Sequence, residues 1–517
     1  MTGTETEKTW RRGDIIVCCL AVAAMAAFFF LHREGTSDIF WQMKAGEFIW
    51  KTKSVPSFDI FSYTASGNSW VCYEWLSGVV FFLMERAGGF VALSLLSFAL
   101  GVGLASTLFA GLVRISRSPA AALILTLAIL LIGAPRFQIL RPEVFGFIFF
   151  AILLLILTDI GRCRPLLMWS AIPILVLWAN MHTSVIVGPL VVTLYCAIAF
   201  LRGRGGDPAR SMGLGRSILL IFSSILAPLI NPFTYRVYTF PFEVMTQRYA
   251  LSVTSDWLPP GWFLPEADIS AWGLCALCAA CAWLVLRRRG RVDIPLFAVA
   301  IACVVPGFMT ARFIPFAAIA VAFLAASARK SAGASDFASA RASLMVALVL
   351  CAALIAPMFK SGPLYGVRLG QGRAIFVFGR MIGAGFDKEN FPVEAVDFLE
   401  RQKAEGRIFN DMAWGGYLIW RRWPGARVFI DTRTAVYGDE FIKEYSDALF
   451  GERAFERVAD KYGIDRVIYD VRQIEAPGGP LKFLMDDPRW PIVFRSANAV
   501  VFARTSDGFP SHTSPRP

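Results

Sequence analysis

The stretch SPAAALILTLAILLIGA, Ser118 to Ala134, contains no charged side chain, and Arg114, Arg117 and Arg136 flank it. Crossing the hydrocarbon core of a bilayer takes about 20 largely apolar residues, so the stretch reads as a transmembrane helix. Comparable runs recur between Asp14 and Pro357: 14–31, 89–113, 118–134, 142–159, 166–181, 184–201, 216–230, 270–286, 293–309, 312–328 and 342–358. The chain of 517 residues is 56% hydrophobic and only 17% charged, too apolar for an ordinary soluble enzyme. The fold expected is therefore a polytopic α-helical membrane protein of about 11 spans, followed by a C-terminal α/β domain.

Charge sets the expected topology. Every second connection is basic: Arg11/Arg12, Arg114/Arg117, Arg162/Arg164, Arg202 through Arg216, Arg287 through Arg291, and Arg329/Lys330/Arg341. The positive-inside rule assigns these to the cytoplasm, which leaves the N-terminus inside and residues 32–88, 231–269 and the C-terminal domain outside. In a bacterial inner membrane that outside is the periplasm. Ile15 to Leu31 is longer than a signal-peptide core, and Phe28, Phe29, Phe30 and Leu31 fill the positions small cleavage-site residues would need. It reads as an uncleaved first span. The division expected is a transmembrane module over 1–385 carrying the 32–88 loop, a soluble periplasmic domain over 386–510, and a disordered tail over 511–517. Residues 386–517 hold 21 of the 39 acidic but only 19 of the 51 basic residues. The net charge of +12 thus belongs to the membrane part as loop charge, and nucleic acid is excluded as a partner. Cys275, Cys278 and Cys281 lie on an apolar helix without His or acidic neighbours, so they read as small buried hydrophobes.

The first outer loop is strongly patterned. Asp38 to Trp50 has helical apolar spacing with aromatic residues, as does Trp75 to Glu85, and both suit helices lying in the interface. Asp38 falls just past the first span and Glu74 opens the second helix, an arrangement able to bring two carboxylates to one pocket. Arg136, Arg141 and Arg312 stand at outer helix ends, where the inside-positive bias does not account for them. Asn180 and His182 close the fifth span, and Asp256 and Trp257 lie in the later aromatic, proline-rich loop, which suits a lid as well as an interfacial belt. From Pro392 onward helices are expected at about 393–404, 438–449 and 452–462. Strands are expected near 407–410, 427–432, 466–470, 491–496 and 499–504. The densest cluster there is Asn410-Asp411-Met412-Ala413-Trp414-Gly415-Gly416-Tyr417, followed by Asp431-Thr432-Arg433.

An acidic residue just after the first span, interfacial helices in the first outer loop and a C-terminal outer domain together resemble the GT-C glycosyltransferases. That superfamily includes protein O-mannosyltransferases, aminoarabinose transferases and rhizobial lipopolysaccharide galacturonosyltransferases. The likeness covers the whole architecture. It implies a polyprenyl-phosphate sugar donor, transfer on the outer face, and an envelope glycan, lipid or protein as acceptor. Asp38 is then the base for the acceptor hydroxyl or its orienting group, and Glu74 a second carboxylate. Arg141, Arg312 and Arg136 would meet the donor phosphate, with His182, Asn180, Asp256 and Trp257 lining the donor or acceptor pocket. Trp414, Gly416 and Tyr417 resemble part of the Trp-Trp-Asp-Tyr-Gly region of the oligosaccharyltransferase catalytic subunit, although Asp411 here precedes the tryptophan. That likeness implies that Trp414 and Tyr417 stack on a sugar.

Structural roles stand beside these. Asp38 and Glu74 as helix caps, the arginines snorkelling to headgroups, and Trp414 and Tyr417 packing their own turn would each account for the residue type. No cofactor is assigned; a divalent metal lacks support, because the loop has neither a paired Asp-Glu dipeptide nor an Asp-x-Asp. A transporter or flippase of lipid-linked sugars would need polar residues at mid-membrane depth, and few are present. A non-catalytic envelope-assembly protein would need no carboxylate pocket.

Overall fold

The computed structural model describes residues 12–137, 139–158, 165–203, 213–253, 269–287, 292–330, 366–369, 373–376, 384–386, 388–404 and 406–505. In chain order the first helices are α1 (Arg12–Phe30), α2 (Ser37–Thr52), α3 (Trp75–Ser116), α4 (Pro119–Ile132), α5 (Glu143–Thr158) and α6 (Ala171–Met181). They are followed by α7 (Val187–Gly203), α8 (Leu214–Leu226), α9 (Ile269–Arg287), α10 (Ile294–Met309) and α11 (Ile314–Lys330). An antiparallel pair, β1 (Gly366–Leu369) and β2 (Arg373–Phe376), comes next. The C-terminal elements are α12 (Val393–Arg401), β3 (Arg407–Asn410), α13 (Met412–Arg422), α14 (Asp439–Phe450) and α15 (Glu452–Tyr462). The chain then forms β4 (Ile464–Asp470), β5 (Ile492–Arg495) and β6 (Ala499–Ala503).

Ten of the expected spans fall on helices, and the eleventh, 342–358, lies outside the described residues. Among the described residues, four helical stretches are long and apolar enough to cross a bilayer by themselves: Trp75–Ser116, Thr183–Arg202, Ser270–Arg287 and Ala311–Ala328. The apolar helix in each of the other six expected spans is shorter. Within α3, Gly88 and Gly89 leave helical geometry, Gly89 at φ +61°, so 75–87 and 90–116 are distinct segments. Pro119 in the first turn of α4 costs no hydrogen bond, and the Ser118 side chain caps it by accepting from the Ala121 N–H.

The chain divides into two compact units. The first comprises 1–33, 90–237 and 256–385. At its centre α11 packs against α4, α5, α9 and α10. Ala317, Ala318, Ala320, Ala322 and Ala326 are all fully buried, and their small side chains let neighbouring helices approach closely. The rim is the reverse of a soluble surface: Leu214, Ile218, Leu219 and Phe222 of α8 are more than half exposed. Side chains of this kind are stable facing lipid. This is a polytopic helical membrane protein.

The second unit comprises 34–89, 238–255 and 386–517. The first loop thus groups with the C-terminal segment, where the sequence reading attached it to the helical module. The ties are long-range and leave no local pattern. Tyr63 N–H donates to the Val428 carbonyl (3.1 Å), Val428 N–H to the Phe61 carbonyl (3.1 Å), and the Trp423 indole to the Ile60 carbonyl (3.0 Å). The core of the unit is a four-stranded sheet, order β3-β4-β6-β5, with β3 and β4 parallel and the other pairings antiparallel. Val467, Ile468, Val500, Val501 and Phe502 are completely buried. Helix α2 packs on α13 at Gly416, where any side chain would strike the Ser37 carbonyl, and on the start of α3 through Gly46 against Gly78. Two elements differ from expectation. The Trp414–Tyr417 cluster forms helix α13, and 427–432 makes only a single bridge, Ser62 to Val428, in place of a strand.

Candidate functional site

In the second unit the chemistry gathers on one face of α2. Asp38 lies in its first turn and is half-buried; Gln42, one turn later on the same face, is buried. The Gln42 amide donates to Glu74 at 2.5 Å, and Glu74 itself is 8% exposed. Asp38 and the Glu74 partner Gln42, which sequence reasoning missed, therefore share one helix face. Its only signal was the four-residue spacing from Asp38.

Asp38 does not act as a simple cap. The helix begins after Thr36, and Asp38 Oδ1 accepts from the Thr432 hydroxyl at 2.5 Å and from the Trp41 indole at 3.3 Å. The same indole reaches Thr432 Oγ1 at 3.2 Å. Thr432 is held from both sides. Asp431 accepts from Arg433 Nε and Nη2 (2.8 and 2.7 Å) and from the Tyr437 hydroxyl (2.7 Å), while Arg433 Nη2 also reaches Asp59 at 2.8 Å. The Arg433 guanidinium lies 4.5 Å from the Trp70 ring centroid. Burial alone would push its pKa down, but the Asp431 and Asp59 charges outweigh it and hold the pKa above the ordinary arginine range. Asp431 and Arg433 thus form a pair that Asp59 enlarges.

The loop carrying Thr432 is fixed further upstream by Asn410 at the end of β3. This fully buried side chain accepts from Phe429 N–H (2.9 Å) and donates to the Ile430 carbonyl (2.8 Å). Asp411 next to it caps α13 by accepting from Ala413 N–H (2.8 Å) and takes a bond from Gln473 (3.1 Å). Its pKa is pushed up to about 6: burial is the main cause, Asp470 adds to it, and the two hydrogen bonds oppose it.

Trp414 and Tyr417 lie on α13 and are buried. They are 3% and 1% exposed. The Trp414 indole donates to the Asn390 carbonyl, and Tyr417 packs among Phe40, Phe386 and Phe391. Their faces pack against these neighbours.

The first unit holds a separate charged cluster. Glu143, at the start of α5 and 3% exposed, lies 3.6 Å from Arg136 and 3.9 Å from Arg312. The charges of Glu143, Arg312, Arg136 and Arg141 all act on His182. Three arginines against one glutamate leave the cluster cationic, the charge that suits a phosphate. His182 caps the short helical turn Thr183–Ile186, its Nδ1 facing Ser184 Oγ at 2.8 Å. Asn180 donates to the Val176 and Ile230 carbonyls, each at 2.8 Å. Both side chains thus have structural bonds. Asp256 and Trp257 lie outside the described residues. Among the described residues no group of three or more His, Cys, Asp or Glu side chains is arranged to hold a metal ion.

No protein-family model and no curated protein matches the sequence. Solved structures do match. The oligosaccharyltransferase AglB from Archaeoglobus fulgidus, in complex with an inhibitory peptide and a dolichol-phosphate, superposes with a TM-score of 0.54 at 13% identity. That match covers 97% of this chain and 75% of that one. ArnT from Cupriavidus metallidurans, bound to undecaprenyl phosphate, matches over 95% and 98% of the two chains at 13% identity, with a TM-score of only 0.34. At 13% identity the AglB likeness speaks for the fold alone: the chain shares the fold of that oligosaccharyltransferase.

Proposed function

We propose that this protein is a membrane glycosyltransferase that moves a sugar from a polyprenyl-phosphate donor to an envelope acceptor on the periplasmic face. The observation that carries the reading is the α2 face: a half-buried Asp38 held by two donors, with Glu74 bonded through Gln42 one turn away. In the reaction, the bond from the sugar's anomeric carbon to the phosphate oxygen breaks, and its electron pair stays on the phosphate. The acceptor oxygen bonds to that carbon, and its proton passes to the Asp38 carboxylate. Positive charge builds on the sugar as the phosphate leaves, and a nearby carboxylate such as Glu74 stabilises it. In the helical unit the cationic group of Arg136, Arg141 and Arg312 is suited to the donor phosphate, with His182 and Asn180 supporting the helix ends that carry it.

The carboxylates support the enzyme over a transporter, because translocation alone needs no base. The test reconstitutes the full chain in proteoliposomes with undecaprenyl phosphate carrying mannose, glucose, arabinose or galacturonic acid, and follows both lipid and sugar. A transferase cleaves at least one of these donors to undecaprenyl phosphate. Movement of intact donor between leaflets without cleavage would establish the flippase instead.

A further inference from the structure

Thr432 has no role in the sequence reading, yet its surroundings leave it little freedom. On one side Asp431 is completely buried and takes four donors: the Arg433 N–H (2.9 Å), Arg433 Nε and Nη2, and the Tyr437 hydroxyl. On the other side Arg433 is tied to Asp59, which also accepts from the Ser62 N–H (2.9 Å) and hydroxyl (2.5 Å). Asn410 pins Phe429 and Ile430 just before. Thr64 adds a hydroxyl bond to the Phe429 carbonyl. Buried, charge-assisted bonds of this number hold the backbone at 432 in one place. Thr432 itself is half-buried, and its hydroxyl ends at 2.5 Å from Asp38 Oδ1.

From this arrangement we infer that Thr432 is the positioning residue for Asp38, fixing the rotation of its carboxylate so that it faces the acceptor oxygen. The inference rests on the reading of Asp38 as base. The Asp431–Arg433–Asp59 ion group holds Thr432, Thr432 holds Asp38 Oδ1, and the Trp41 indole closes a triangle by donating to both. A carboxylate on the first turn of a helix otherwise samples several rotamers. Only one of them meets the near-attack geometry that proton abstraction requires. The same bond explains why the Asp431-Thr432-Arg433 order matters: the outer two residues anchor, and the middle one acts.

The test uses the full chain in proteoliposomes and whichever of the four undecaprenyl-phosphate sugars the natural protein cleaves fastest, with water as acceptor and free sugar as readout. Thr432→Val keeps the shape of the side chain and removes the donor; Thr432→Ala removes it without adding bulk, and Thr432→Ser keeps it. Loss of a hydrogen bond to a charged group predicts a fall in kcat of about tenfold to a hundredfold in the first two, with KM for the donor lipid within about threefold. Thr432→Ser should restore kcat to within about threefold of the natural protein, since serine carries the same donor. In an Asp38→Asn background, Thr432→Val should add no further loss, because Thr432 acts only through Asp38. Full kcat in both Thr432→Val and Thr432→Ala, a change confined to KM, or an equal further loss in the Asp38→Asn background would overturn the positioning role. Those results are separable from failure of the base itself. If Asp38→Asn keeps full turnover, the base reading falls; if Asp38→Asn is inactive while Thr432→Val is fully active, only the positioning role falls.

Discussion

Replacing Arg433 with Met should open the second unit locally by an amount the structure allows to be worked out. Arg433 is 6% exposed, and the carboxylates of Asp59 and Asp431 are sealed from solvent. One guanidinium makes a bidentate contact with Asp431, a third bond to Asp59, and a cation–π contact over Trp70. Methionine fills most of the volume but leaves two buried carboxylates facing each other. Breaking a buried ion pair from one side costs about 3–5 kcal/mol, because the remaining charge stays desolvated. At about 1.4 kcal/mol per factor of ten, that is roughly two to four orders of magnitude in the local opening equilibrium.

Hydrogen–deuterium exchange of the full chain reads this directly in peptides covering 57–72 and 428–437. Both should lose protection together in Arg433→Met, and Asp59→Asn in the same background should return part of it by removing one stranded charge. Protection unchanged within a factor of ten in both peptides, or no recovery with Asp59→Asn, would refute the view that this ion group holds 428–433 against the first loop.

Asp411 should make stability fall as pH rises. Its folded pKa of about 6 lies above that of an exposed aspartate, so between about pH 4 and 6 the folded state binds the extra proton and loses stability as it is titrated away. Asp411→Asn keeps an oxygen for the Ala413 N–H, and the melting temperature of the variant should fall less steeply than that of the natural protein across pH 4–7. In the helical unit, Arg312→Gln removes one cation from beside Glu143. It should weaken binding of undecaprenyl phosphate about tenfold or more in native mass spectrometry while leaving neutral undecaprenol unchanged.

What was legible in the sequence follows the range of the forces involved. The apolar runs are local, and helices stand at ten of the eleven places they predicted, the other lying outside the described residues. The α2 stripe of Ile39, Phe40 and Met43 likewise announces a helix with Asp38 and Gln42 sharing a face. Thr432 was not legible, because its partner is 394 residues away and no periodicity links them. Nor was the fate of Trp414 and Tyr417. Both side chains are buried, and Gly415 and Gly416 let α13 approach the Ile430 and Ser37 carbonyls.

The most direct measurement of the central claim is cleavage of an undecaprenyl-phosphate sugar by the full chain carrying Asp38→Asn. The substitution keeps the size of the side chain and an oxygen for the Thr432 and Trp41 donors. It removes the base, whose contribution in general acid–base catalysis is about a hundredfold to ten-thousandfold. The expected result is a loss of turnover in that range with donor binding intact. Turnover equal to that of the natural protein would contradict the assignment of Asp38, and with it the catalytic reading of the α2 face.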